Sequence, residues 1–175
     1  IGTTQSNSAL FLYWILFSIT NLGSFSMLWI SRQKSLPDHQ SSDHSYSKFA
    51  GMMYTSPVAA TIMTIFMLSL AGIPPFALFW GKLYMIGSAV SAGYTVLALI
   101  MALNSAIAGY YYLKLIIYMF MKDPIAGNNG DVHSANATLG LRTIVGLATL
   151  GTVFAFVAIN PLLEFITAFV YNSGY

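Results

Sequence analysis

Met67-Leu68-Ser69-Leu70-Ala71-Gly72-Ile73-Pro74-Pro75-Phe76-Ala77-Leu78-Phe79-Trp80-Gly81-Lys82 is the stretch that decides how this chain is built. It is almost wholly apolar, yet two adjacent prolines interrupt it and a lysine closes it. Each proline removes a backbone donor, so the pair stops a helix. The stretch therefore predicts a helix ending near Ile73 and another restarting at Phe76, both apolar enough for lipid.

The rest of the chain reads the same way. Spanning helices need roughly 20 apolar residues to cross a hydrocarbon core about 30 Å thick. Runs at 9–30, 58–73, 76–92, 94–121 and 139–159 approach that length. They predict an all-α, polytopic transmembrane helix bundle of about five spans, one of them discontinuous around Pro74-Pro75. Pro57 stands where a helix can begin without losing a hydrogen bond, and Asn160-Pro161 is expected to end the fifth run. The tail to Tyr175 either lengthens that run or lies along the membrane surface. Transmembrane strands would be alternating and about ten residues long, which these continuous runs are not.

Composition agrees. Charged residues make up 7% of the chain and hydrophobic ones 57%, with a mean hydropathy of +0.69. A water-facing surface needs about 25% charged residues, so lipid must cover most of this one. A net charge of +2 is too small and scattered for a nucleic-acid partner. The absence of cysteine excludes disulfides, thiolate metal sites and iron–sulfur clusters ligated within the chain. The first residues are Ile1-Gly2, and the first apolar run outlasts a signal peptide's hydrophobic region, so the expectation is a piece lacking its upstream part. Five separate spans would put Arg32, Lys34 and Lys48 on one side and Lys114, Lys122 and Arg142 on the other. The positive-inside rule is then tied.

Lys82 is the leading candidate for chemistry. A lysine within a span is expensive and by default functional. Its neighbours at three and four residues, Leu78, Phe79, Met85 and Ile86, are apolar, and all five acids lie outside the apolar runs. Lys82 must then pair with an upstream part, bind water or spend time neutral. Desolvation disfavours the ammonium, which suits a group that takes up and releases protons. A lysine near a helix end can alternatively snorkel to the headgroups. The break at Gly72, Pro74 and Pro75 is either an ordinary interfacial turn or non-helical backbone at membrane depth, as beside transporter ion sites.

Weaker signals surround it. Asn104, Ala108, Tyr111, Tyr112 and Leu115 recur at helical spacing, with Ser105 beside Asn104 and Lys114 one position off the stripe. They form either a hydrated path or an interhelical hydrogen bond plus an interfacial belt of Tyr110, Tyr111 and Tyr112. Ser18, Asn21 and Ser24 are spaced to join helices, and Glu164 is expected at the interface. Asp38-His39 and Asp43-His44 could ligate a metal, but a solvated serine-rich loop accounts for them. No phosphate-binding, dinucleotide-binding or serine-triad motif occurs in a suitable setting.

The Ser69-Leu70-Ala71-Gly72-Ile73-Pro74-Pro75 break followed by Phe79-Trp80-Gly81-Lys82 resembles the antiporter-like membrane subunits of proton-pumping NADH:quinone oxidoreductase (respiratory complex I) and of multisubunit cation/proton antiporters. Leu78 departs from the glycine common in that superfamily. Leu103-Asn104-Ser105-Ala106, Tyr110-Tyr111-Tyr112-Leu113-Lys114 and Asn21-Leu22-Gly23-Ser24-Phe25 are similar to the subunit N family, which more often has arginine where Lys114 stands. The resemblance covers about 9–159. It implies the last spans of a larger subunit, with Lys82 as the proton-transferring lysine at the end of a path and loop 122–138 on the cytoplasmic side. It also implies a non-redox translocase role. No cofactor would bind in this chain; NADH, FMN, iron–sulfur clusters and quinone would belong to partner subunits. The implied partners are the other membrane subunits and the lipid bilayer, in a bacterial inner membrane or an organellar one. A subunit of a sodium/proton antiporter is the alternative, and a helical scaffold without an ion path a further one.

Overall fold

The computed structural model describes residues 4–30, 46–123 and 138–173. Among them every regular element is helical: α1 (Thr4–Ile30), a 3-10 turn (Tyr46–Phe49), α2 (Met52–Thr55), α3 (Pro57–Ala71), α4 (Ala77–Ser91), α5 (Thr95–Met121), α6 (Leu139–Phe154) and α7 (Ile159–Asn172). Helix α1 is central and packs against α3, α4, α6 and α7, while α5 packs against α3 and α4 from the other side.

The bundle has more hydroxyls inside than its surface would suggest. Trp14, Phe25, Val96 and Leu147 are exposed, whereas Thr20, Ser24, Ser69 and Thr152 are buried. Lipid is as apolar as leucine, so helices in it gain little from burying apolar groups and associate through close packing and small polar contacts. Two glycines permit that closeness. A Cβ on Gly23 would lie 2.7 Å from Ala148 Cβ and would also collide with the Phe66 ring. A Cβ on Gly81 would lie 3.2 Å from the Tyr13 Cα, so α4 rests directly on the α1 backbone. The contact between hydroxyls runs from Thr20 Oγ1 to Thr152 Oγ1, 3.4 Å apart. The Ser18, Asn21 and Ser24 stripe does not supply it. Ser18 is exposed and the Asn21 amide donates within its own helix to Phe17 O (3.0 Å). The α1 face toward α6 is set by Gly23, and Thr20 is one turn from it.

Helices α1 and α5 are each long and apolar enough to cross a membrane. Helices α3 and α4 have 15 residues each, about 22 Å at 1.5 Å per residue, and neither crosses alone. They follow one another along α5. Gly51 N–H, just ahead of α3, donates to Tyr118 O (3.3 Å). Lys82 reaches Ser105, and Met85 and Ile86 share a cavity wall with Met101. The partner's number falls steadily as the chain advances, so α3 and α4 run antiparallel to α5 as halves of one broken pass. This corrects the expectation that Lys48 and Lys122 lie on opposite sides: Gly51, just after Lys48, and Tyr118, one turn before Lys122, meet at one end, and Arg142 lines a groove there with Ile30 and Pro57; Arg32 and Lys34 lie outside the described residues.

Pro57 is the first residue of α3, as its sequence context predicts. Asn160-Pro161 does not end the last long run. Helix α6 stops at Phe154, and the pair lies in the first turn of α7, bent 95° from α6. A proline is tolerated there because a first-turn nitrogen has no helical acceptor. Asp38-His39 and Asp43-His44 lie outside the described residues. Among the described ones no group of three His, Asp or Glu side chains could hold a metal.

Candidate functional site: a lysine seated on a broken helix

The last four carbonyls of an α-helix have no partner within it. At the end of α3, Gly72 turns the chain into the left-handed region (φ 80°, ψ 42°), which glycine adopts without steric penalty. Its N–H then bonds Ser69 O (2.9 Å), and the Ile73 N–H bonds Leu68 O (3.1 Å). This is the Schellman arrangement, and it satisfies two of the four carbonyls. Those of Leu70 and Ala71 remain.

Lys82 takes both. Its Nζ donates to Leu70 O at 2.9 Å and Ala71 O at 3.4 Å, and to Ser105 Oγ of α5 at 2.9 Å. An ammonium has three donors, so all three are used. No partner is a carboxylate. The negative end of the α3 dipole takes that place, an interaction worth up to about 2 kcal/mol in partly buried geometry. Pairing with an upstream part, binding water or staying neutral are thus not the only ways to keep this lysine at depth; folding the chain back on its own helix end is another. A Cβ on Gly72 would also stand 3.1 Å from Lys82 Nζ and Cδ, tight enough that the end of the lysine would have to shift. The Pro74–Pro75 bond is cis, and both prolines are exposed.

Two cavities meet at this seat. One, of about 370 Å³, is lined by Tyr13, Leu70, Asn104 and Tyr112 together with Lys82 and Ser105. The other, of about 530 Å³, is lined by Ala71, Gly72, Gly109 and Tyr110, again with Lys82 and Ser105. Lys82, Ser105 and Ile86 belong to both linings. Lys82 and Ser105 are half-buried, open to exchange on either side.

The structure brings some candidate residues together and separates others. Asn104 and Ser105 stand at the lysine. Tyr111 does not: it lines a third cavity with Asn21 and Ser24, and it is 53% exposed with its ring against Tyr110. Tyr112 lines both that cavity and the first one at Lys82. Lys114 is held elsewhere, its Nζ 5.3 Å from the Tyr46 ring centroid and 6.0 Å from that of Tyr110, a cation–π setting. Sequence reading missed Tyr13, which reaches the site because Gly81 lets α4 press on α1, and it missed the two carbonyls. The first needed the helix partners to be known. The second was available in principle, since a glycine followed by an apolar residue at a helix end announces a Schellman turn.

The family described as NADH:quinone oxidoreductase/Mrp antiporter, TM, matches residues 1–108. The NADH-quinone oxidoreductase subunit N of Sulfurimonas denitrificans is 80% identical over the whole chain, which covers 35% of that relative. That of Sulfurovum sp. is 48% identical, again over the whole chain and 35% of its own length. That of Campylobacter concisus is 49% identical over 98% of the chain and 34% of the relative. The chain therefore spans about a third of the length of these relatives. A chain in the solved structure of respiratory complex I from Thermus thermophilus with bound aureothin superposes with a TM-score of 0.69. The match covers 90% of this chain and 34% of that one at 22% identity, a likeness of fold. With apolar helices long enough to cross a membrane, a broken pass and this family match, the chain is an integral membrane protein and belongs to the NADH:quinone oxidoreductase/Mrp antiporter transmembrane family.

Proposed function

We propose that this chain is the proton-carrying end of a membrane subunit of an NADH:quinone oxidoreductase, of the subunit N type, with Lys82 as the group that is protonated and deprotonated. The observation that carries the proposal is the seat: a lysine at membrane depth, held by helix-end carbonyls instead of a fixed counter-ion, between two cavities. A carboxylate counter-ion would favour the charged form and hold the proton, whereas neutral partners favour it less and let the proton leave more readily. Its relatives' names favour the oxidoreductase over a free-standing antiporter. The chain carries the proton and not the electron, and NADH, FMN, iron–sulfur clusters and quinone are bound by partner subunits.

The same geometry supports an orientation. Lys122, against the Tyr118 ring, and Arg142, in a groove with Ile30 and Pro57, lie at the same end, so these two basic residues share one side. By the positive-inside rule that end faces the cytoplasm, in a bacterial inner membrane. The test of function is Lys82→Ala in the whole complex. NADH-driven proton pumping into inverted vesicles is expected to fall severely at unchanged complex content. Normal pumping in the assembled variant refutes the role of Lys82.

A further inference from the structure

Lys82 has three partners, and they are not chemically equivalent. The Leu70 and Ala71 carbonyls can accept a hydrogen bond from the ammonium but have no proton of their own to pass on. Ser105 Oγ, at 2.9 Å, is both acceptor and donor. It is also placed on α5, outside the broken pass, and stands in the wall of both cavities. We infer that the Ser105 hydroxyl is the relay through which Lys82 exchanges its proton with water in either cavity. This rests on the proposed role of Lys82 and names the next group in its path.

The step balances without any further reagent. One N–H bond of the ammonium breaks as Ser105 Oγ takes that proton, and the O–H bond already on Ser105 breaks as its proton passes to a cavity water. Lysine is left neutral, serine unchanged in composition and the water as hydronium; uptake is the reverse. Rotation of the hydroxyl about the Ser105 Cβ–Oγ bond, which leaves Oγ on Lys82, decides which cavity the outgoing O–H addresses, because both open onto the same side chain. The two carbonyls hold the ammonium in place meanwhile, so lysine need not move for its proton to change sides.

The test uses the assembled complex and the isosteric pair Ser105→Thr and Ser105→Val, with Lys82→Gln alongside. Threonine keeps the hydroxyl and valine replaces it with a methyl of similar size, so their difference reports the O–H alone. Pumping in the threonine variant is expected within about twofold of the parent. In the valine variant it is expected to fall about a hundredfold or more, the lower end of the range for removing a proton-transfer group. Ser105→Ala, which adds no bulk, should lose as much as valine. Equal pumping in the threonine and valine variants, or parental pumping in the alanine variant, overturns the relay. If Lys82→Gln is inactive in that case, the lysine's role stands and only the relay falls. If Lys82→Gln itself pumps normally, both fall together.

Discussion

Replacing Gly72 by alanine should unseat Lys82 without touching the lysine itself. Two costs add at this position. The residue sits at φ 80°, ψ 42°, where an L-residue with a Cβ loses about 1–2 kcal/mol. The new Cβ would also stand 3.1 Å from both Lys82 Cδ and Nζ, closer than ordinary contact, so either the helix end or the lysine must give. If the lysine gives, its hydrogen bonds to Leu70 O and Ala71 O stretch from 2.9 and 3.4 Å. A hydrogen bond involving a charged group contributes about 1.5–3 kcal/mol. A combined penalty of about 2.5–5 kcal/mol follows, and at about 1.4 kcal/mol per factor of ten the seated state would be depopulated roughly 60-fold or more. The assay is NADH-driven proton pumping in inverted vesicles, normalised to assembled complex on native gels. Gly87→Ala is the control, since that glycine of α4 has nothing within 4 Å of an added Cβ and no positive φ. Gly72→Ala is expected to assemble and pump poorly, with Gly87→Ala like the parent. Parental pumping in Gly72→Ala would refute the reasoning that ties the helix end to the lysine.

Other substitutions test the surroundings. Lys82→Arg should impair pumping nearly as much as Lys82→Ala, because a guanidinium stays protonated even where poorly solvated; parental pumping with arginine would mean that the charge alone suffices. Gly23→Ala drives a methyl into Phe66 and Ala148 and should cost about 1–3 kcal/mol, read as reduced complex assembly that Phe66→Leu partly restores. Lys114→Ala should leave pumping within about twofold and destabilise by about 1–2 kcal/mol, the worth of a partly buried cation–π contact; a severe loss of pumping would put Lys114 on the proton path.

The features legible in the sequence were those that local chemistry fixes. Pro57 starts a helix and Gly72-Ile73-Pro74-Pro75 stops one because both effects act within one turn of chain. Lys82 stood out because its cost in a span depends on depth and not on partners. What was not legible depends on direction. The runs at 58–73 and 76–92 look like two crossings by length, and only their order along α5 shows them to be one. Tyr111 and Tyr112 both line the third cavity, but only Tyr112 also reaches the one at Lys82, a distinction of about 100° around the helix that a run of three tyrosines hides. Asn160-Pro161 was misread because proline signals either a helix stop or a first turn, and the 95° bend before it settled the choice.

The carbonyl seat has an electrical consequence. A lysine paired with a carboxylate forms a dipole whose field is short-ranged, but one seated on uncharged acceptors is a full elementary charge each time it is protonated. Ser105, which marks its depth, lies ten residues from one end of α5 and sixteen from the other, about 15 and 24 Å. Protonation from either end therefore moves charge through about half of the membrane field. At about 2.3 kcal/mol per charge per 100 mV, that is about 1 kcal/mol, so in the proposed role of Lys82 the membrane voltage itself would bias whether the lysine is loaded or empty.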